Sequence, residues 1–289
     1  MALRHRADGF DLYADPSRQL AVLDPAGRQL HLSCGAALAH ARVAARARGA
    51  DATIELLPTD DATLLARVGL TAGAPALDSE VVLAQALLTR HTGRGVYADE
   101  PLAPALLDRL RAVVEQEGAM LRYVRGEEMV ELEVLLSQAD DQEQRDPAYR
   151  RELASWLRES DDGIPPDALA SLDGRGSSLR LRDFAMATPE QGSGQAPVGE
   201  HPDVAVLTTI GDGPQTWLRA GQALGLLLLH ADVHGVLGQP LGQVTDTEGP
   251  RRRLAAVLGL VGIPQLVLRL GYAGGHVTTT RRALDDVLV

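Results

Sequence analysis

Lysine is missing from this chain: all 28 basic residues among its 289 are arginine. That absence excludes the Walker-type phosphate loop, the Schiff-base lysine and the lysine general base together, because each needs an ammonium group. Any bound anion must be held by guanidinium groups, hydroxyls and backbone N–H groups. Cysteine is nearly as scarce, and the single Cys34 permits neither an internal disulfide framework nor a cysteine zinc cluster. Positive charge is in deficit overall. The net charge of −11 argues against a general nucleic-acid or anionic-membrane surface, so no nucleic-acid partner is expected. The longest apolar run, "ALGLLLLHADVHGVL", is too short and interrupted to span a bilayer. The opening "MALRHRADGFDLYADP" lacks the apolar stretch of a secretory signal. A cytoplasmic protein without membrane attachment is the expectation. Two nucleotide and hydrolase fingerprints are absent as well. "GRGSSL" and "GDGPQT" each lack the third glycine of G-x-G-x-x-G, and no G-x-S-x-G elbow occurs.

What is present reads as a globular chain, 45% hydrophobic and 23% charged, long enough for one large domain or two moderate ones. "FDLYA" and "RQLAVLD" alternate, "DPAG" is a turn and "RQLHL" follows it, a hairpin pattern. "SCGAALAHARVAARARG" predicts a helix capped by Ser33 and closed by Gly49. "DATIELLP" and "TLLARVGL" predict strands, and a helix begins at Asp78 or Ser79 and runs to about Thr89. "EPLAPALLDRLRAVVEQEG" has helical leucine spacing with proline near its start and glycine at its end. "MLRYVR" predicts a strand, followed by two helices divided near Pro147. Residues 159–202 are rich in glycine and proline and read as a lid-like excursion. "DVAVLTTI" is then a buried strand, "PQTWLRAGQALGLLLLHADVHG" a central helix and "PQLVLRLGYA" a further strand. Strict β–α–β alternation is absent, which favours an α+β fold over a doubly wound sheet.

Few residues carry candidate chemistry. His230 and His234 stand four apart on one helix, a spacing that suits a metal, yet no acidic partner follows in a known pattern. Helix-end histidines are the commoner explanation. Cys34 near a helix start invites a nucleophile reading, against the commoner one of a small buried hydrophobe. Two arginine clusters remain. "TRHTGRGVY" places Arg90, Thr92 and Arg94 where a helical pattern breaks at glycine, and "TTTRR" places Arg281 and Arg282 behind three threonines. Guanidinium forks and exposed N–H groups at such places can converge on a phosphate; solvated helix ends are the competing explanation.

Taken in order, "LSCGAALAHARVAARARG", "RHTGRGVYADEPLAPALLDRL", "DGIP", "VLTTIGDGPQTWLRAGQALGLLLLHADVHG", "IPQLVLRLGY" and "TRRALDDVL" resemble the nitroreductase-like flavoproteins, closest to their actinobacterial Acg-type branch. The resemblance implies an α+β nitroreductase-like fold with two degenerate halves in one chain, residues 1–75 and 76–289. It implies noncovalent FMN, NAD(P)H as electron donor, a small-molecule acceptor such as a nitroaromatic or quinone, and either a monomeric pseudo-dimer or a homodimer. By the same resemblance Arg90, Thr92, Arg94, Arg281 and Arg282 are phosphate ligands, and Gly163, Ile164 and Pro165 lie near the flavin ring. The chemistry would be flavin-borne, with no side-chain acid or base required. One departure is visible. The family's Pro-Ser-x-His-Asn-x-Gln-Pro-Trp-like segment, expected ahead of the first hairpin, has no counterpart in "MALRHRADGFDLYADP". This departure sets two alternatives beside the oxidoreductase: a protein that holds FMN with little turnover, and a pseudo-enzyme that no longer binds it.

Overall fold

The first 72 residues build one antiparallel sheet and the helix that covers it. The computed structural model describes residues 1–158, 163, 179, 181–182, 199–273 and 282–289. Strands β1 (Ala2–Arg6), β2 (Gly9–Tyr13), β3 (Ala50–Leu56) and β4 (Leu64–Ala72) lie in the order β1-β2-β4-β3, every pair antiparallel. Along β3, Ala52, Ile54 and Leu56 are half-buried while Asp51, Thr53 and Glu55 are exposed. That period of two marks a sheet with one face on the core and one in water. The inner face packs on helix α1 (Arg28–Arg46), with Leu12, Leu65, Ala66 and Val68 against Cys34 and Leu38.

The expected hairpin at "RQLAVLD…RQLHL" is not formed. Residues Pro16–Arg18 make a short 3₁₀ turn, and Arg28 to Leu32 are already helical. The cause is Asp24, whose carboxylate accepts the N–H groups of Gln29 at 3.0 Å and Leu30 at 2.9 Å. These are two of the unpaired donors at a helix start, and an acid there also suits the helix dipole. Helix α1 therefore begins five residues before Ser33, which is an exposed position within it. Asp24 was the available signal.

The second sheet is β5 (Met120–Val124), β6 (Asp203–Thr209), β8 (Ile263–Gly271) and β7 (Leu237–Leu241), in the order β5-β6-β8-β7 and again antiparallel throughout. Strand β6 is buried at every position and β8 at every position after Ile263, because helices cover both faces. One face carries α3 (Pro104–Gln116) and α6 (Pro214–Val233). The other carries α4 (Glu127–Arg145) with α7 (Gln243–Asp246) and α8 (Glu248–Val257). Helix α2 (Asp78–Thr89) packs beside α1 and α6, and α5 (Pro147–Trp156) continues from α4. Edge strand β7 contains Gly238 and Pro240, residues that discount a strand in a sequence reading. The α+β expectation holds, with two four-stranded sheets and helices segregated from them. Among the described residues, no helix is long and apolar enough to cross a membrane. The excursion expected over 159–202 falls largely outside the described residues.

Helices α1 and α6 join the two sheets. His31 meets Trp217 edge-on at 5.5 Å between ring centroids, Gly35 meets Gly221, Ala39 meets Gly225, and Val43 shares an apolar cluster with Leu229. The partners advance together by four residues, so the helices run parallel and interlock along their i±4 ridges. The fit leaves no room for a side chain at its centre. A Cβ on Gly35 would lie 2.1 Å from the Leu218 carbonyl oxygen, and one on Gly221 would lie 2.1 Å from that of Leu32. A second tie crosses between the halves: Leu3 N–H donates to Val287 O at 2.7 Å and Val289 N–H to Leu3 O at 2.9 Å. Residues that follow the second sheet thus extend the edge of the first.

Gly221→Val is expected to cost roughly 3 kcal/mol or more, since overpacking at a backbone contact has no rotamer to escape into. On α8, nothing lies within 4 Å of the point a Cβ on Gly249 would occupy. Gly249→Ala is accordingly expected to gain about 0.5 kcal/mol. Thermal melts followed by circular dichroism would check both.

Candidate functional site

Helix α2 stops where the arginine cluster begins. Arg90 is its C-cap, in an extended conformation (φ −58°, ψ 125°), and donates its N–H to Ala86 O at 2.9 Å. The preceding Thr89 hydroxyl donates to the Asp232 carboxylate near the end of α6 at 2.6 Å. The chain then runs beside β7: Thr92 forms a parallel bridge with Gly238, and Gly93 N–H donates to Gly238 O at 3.3 Å. Glycine is needed at 93 because a Cβ there would lie 2.7 Å from that of Leu237 and 2.9 Å from the Tyr97 ring. The residue that breaks the helical pattern is thus the one that lets the turn close onto β7.

Arg90, Thr92 and Arg94 all lie on this turn. Burial, and then the like charge of Arg90, holds the Arg94 guanidinium below its ordinary pKa. Two cations are therefore in electrostatic reach of each other, with Arg94 half-buried.

Behind the turn lies Arg269 of β8, whose side chain is wholly buried. Its Nε donates to Gln239 Oε1 at 2.7 Å, Nη1 to both Glu200 oxygens at 3.3 Å, and Nη2 to Gly93 O at 3.4 Å and to Gly95 O. The guanidinium also stacks on the Tyr97 ring, 4.1 Å from its centroid. Tyr97 in turn donates its hydroxyl to Gly93 O and its N–H to Glu200 Oε2, each at 2.9 Å. Burial pushes the Tyr97 hydroxyl pKa upward, so it remains a neutral donor. A buried ion pair is tolerable only when its remaining hydrogen-bonding positions are filled, and here carbonyls, a carboxamide and an aromatic face fill them. Sequence reasoning missed Arg269, Glu200 and Gln239. One signal was available: an arginine inside the otherwise apolar strand "LVLRLG" must find a buried partner.

The other expected site residues lie elsewhere or beyond description. Arg282 donates to Asp286 O and faces the Asp15 carboxylate at 3.9 Å, so its described contacts are with the chain's tail and the end of β2 rather than with Arg90–Arg94. Gly163 closes against Arg158 and Trp156. Ile164, Pro165 and Arg281 lie outside the described residues. The largest of four described cavities, about 590 Å³, is lined by Arg42, Gln215, Arg219, Gln222 and the inner face of β3. None of the four is lined by the Arg90–Tyr97 turn. Cys34 is buried, and burial pushes its thiol up to about 11, which fits the packing reading and not the nucleophile. No group of three or more His, Cys, Asp or Glu able to hold a metal occurs among the described residues.

Comparison with known proteins places the chain in a family. The chain is 31% identical to the Mycobacterium tuberculosis H37Rv protein named "Putative NAD(P)H nitroreductase Rv3131", over 96% of this chain and 82% of that one. It is 28% identical to the same strain's "Putative NAD(P)H nitroreductase acg", over 96% and 85%. The chain belongs to the nitroreductase-like family, in its Acg-type branch, and its described residues form two four-stranded sheets. Among solved structures, the FMN-dependent nitroreductase NfnB from Mycobacterium smegmatis in complex with NADPH is matched over 72% of this chain and 97% of that one, at 14% identity and a TM-score of 0.46. No family profile matches the chain.

The histidine pair yields a pH prediction. Burial, followed by the charges of Arg109 and His234, holds the His230 pKa below its ordinary value. A depressed basic group binds protons better in the unfolded chain, so its contribution is present above about pH 6.5 and is lost as pH falls below that. Stability measured by urea denaturation should decline on that acid side, and His230→Gln should flatten the decline.

Proposed function

We propose that this chain is an FMN-dependent NAD(P)H oxidoreductase that reduces nitroaromatic or quinone-like acceptors. The observation that carries the reading is the Arg90–Arg94 turn, which sets two arginines within electrostatic reach of each other and is fastened from behind by a buried arginine. Two guanidinium forks on one turn suit a doubly charged phosphate monoester, because each can give it charge-assisted, bidentate hydrogen bonds. The lysine-free composition leaves arginine as the only permanently cationic side chain to do this. FMN carries such a phosphate, and the names of the mycobacterial relatives supply the reaction class.

In this reading Arg90, Thr92 and Arg94 hold the phosphate. Arg282 ties the chain's tail to Asp15. FMN, when bound, supplies the hydride relay between NAD(P)H and the acceptor. The chain's own residues bind and orient it: the guanidinium forks fix the phosphate, and the ring's position follows from that anchor.

An absorption spectrum of the purified protein before and after adding FMN tests the proposal. Uptake of FMN is expected, with anaerobic bleaching by NADPH and recovery on adding a nitroaromatic. Arg90→Ala and Arg94→Ala should each weaken FMN binding roughly tenfold or more, as expected for hydrogen bonds to a charged group. A colourless protein that takes up no FMN would end the reading. Flavin that binds tightly but is not bleached by NADPH would leave a flavin-holding protein without turnover.

A further inference from the structure

We infer that Arg269 is the positioning residue of the phosphate site, acting through the backbone of the Gly93–Val96 turn. The inference rests on the reading of Arg90–Arg94 as a phosphate site and names what gives that site its shape.

A planar trans peptide points its C=O and its N–H in opposite directions. Arg269 draws the carbonyl oxygens of Gly93 and Gly95 toward itself, and the Tyr97 hydroxyl adds a second donor to Gly93 O. The N–H groups on the far side of those two peptides, those of Arg94 and Val96, are thereby turned away from Arg269. They face the side opposite the buried guanidinium. A turn flanked by Gly93 and Gly95 has many accessible conformations, and this contact selects one. The selection is well fastened, because the guanidinium has no freedom of its own: Glu200, Gln239 and the Tyr97 ring hold it in a fully buried seat. Its charge is matched by Glu200, so Arg269 acts by orientation rather than by attracting the anion directly. An arginine is required, since a planar fork can reach a carboxylate, a carboxamide and two carbonyls at once, whereas an ammonium cannot.

The readout is the ratio of affinities for FMN and for riboflavin, which has the same ring without the phosphate. Both are measured by quenching of flavin fluorescence, with folding checked by circular dichroism. Two variants are compared with the parent chain. Arg269→Lys keeps a cation beside Glu200 and loses the fork, and Arg269→Gln combined with Glu200→Gln removes both charges and leaves neither unpaired. In each folded variant the FMN-to-riboflavin preference should fall roughly tenfold or more, the size expected when charge-assisted hydrogen bonds are misaligned. Riboflavin affinity itself should stay within about twofold, because loss of phosphate alignment does not touch the ring. A purely structural role would weaken both ligands together. A parent chain that prefers FMN, with a folded variant that keeps the same preference, would overturn the inference and leave the phosphate site standing. Equal affinity of the parent chain for FMN and riboflavin would overturn the phosphate site and this inference with it.

Discussion

The contact between Gly35 and Gly221 is the constraint on which the two halves depend. Each glycine sits against the other helix's backbone, so α1 and α6 approach until main chain meets main chain. That approach brings the sheet made by the first 72 residues and the sheet made by residues 120–271 around one helical seam. Everything on the flanks follows from the spacing. The apolar cluster of Val43, Ala86 and Leu229 forms only because α1 and α6 are close enough to share α2. With α2 seated there, its C-terminal end delivers Arg90 beside the end of α6 and the start of β7. A packing decision at the centre of the molecule thus sets where the arginine cluster lies.

Around that cluster, electrostatics takes over from packing. The chain is strongly acidic, yet it commits buried and half-buried arginines to fixed tasks. Arg28 donates to the carbonyls of Thr245 and Gln265, Arg182 bridges Glu143 and Asp246, and Arg269 binds the Gly93–Gly95 turn. In each case one planar cation reaches acceptors on segments distant in sequence, which a point charge on a flexible stem does poorly. A lysine-free composition therefore has a structural reading as well as a functional one: the same side chain that can grip a phosphate also cross-links the backbone that presents it.

How much of this was legible in the sequence depends on where the controlling information lies. Helix α6 was legible because its apolar run is long and its stop signals local, and β3 because its alternation is its own. Arg90, Thr92 and Arg94 stood out because glycines interrupt a helix beside them. The start of α1 was misread because a short alternating stretch mimics a strand until Asp24 is known to reach forward to Gln29 and Leu30. Strand β7 was missed because its glycine and proline argue against a strand, and only pairing with β8 makes it one. Arg269 and Glu200 lie 69 positions apart and meet the turn at Gly93 from far along the chain. Such partnerships belong to tertiary structure, and no local pattern contains them. The contact of Arg282 with Asp15 is of the same kind, since it joins positions near opposite ends of the sequence.

The clasp between Leu3 and residues 287–289 gives the molecule an order of completion. Strand β1 precedes the other strands in chain order, and β2 can pair with one of its sides as soon as the two are made. Its other side stays open through synthesis of both sheets, until Val287 and Val289 have been made. An uncovered strand edge is a template for pairing with the wrong chain, and the hazard grows with the time it stays bare. The nascent first sheet is therefore most vulnerable to mispairing on its outermost strand, and the residues that protect it are made only after both sheets.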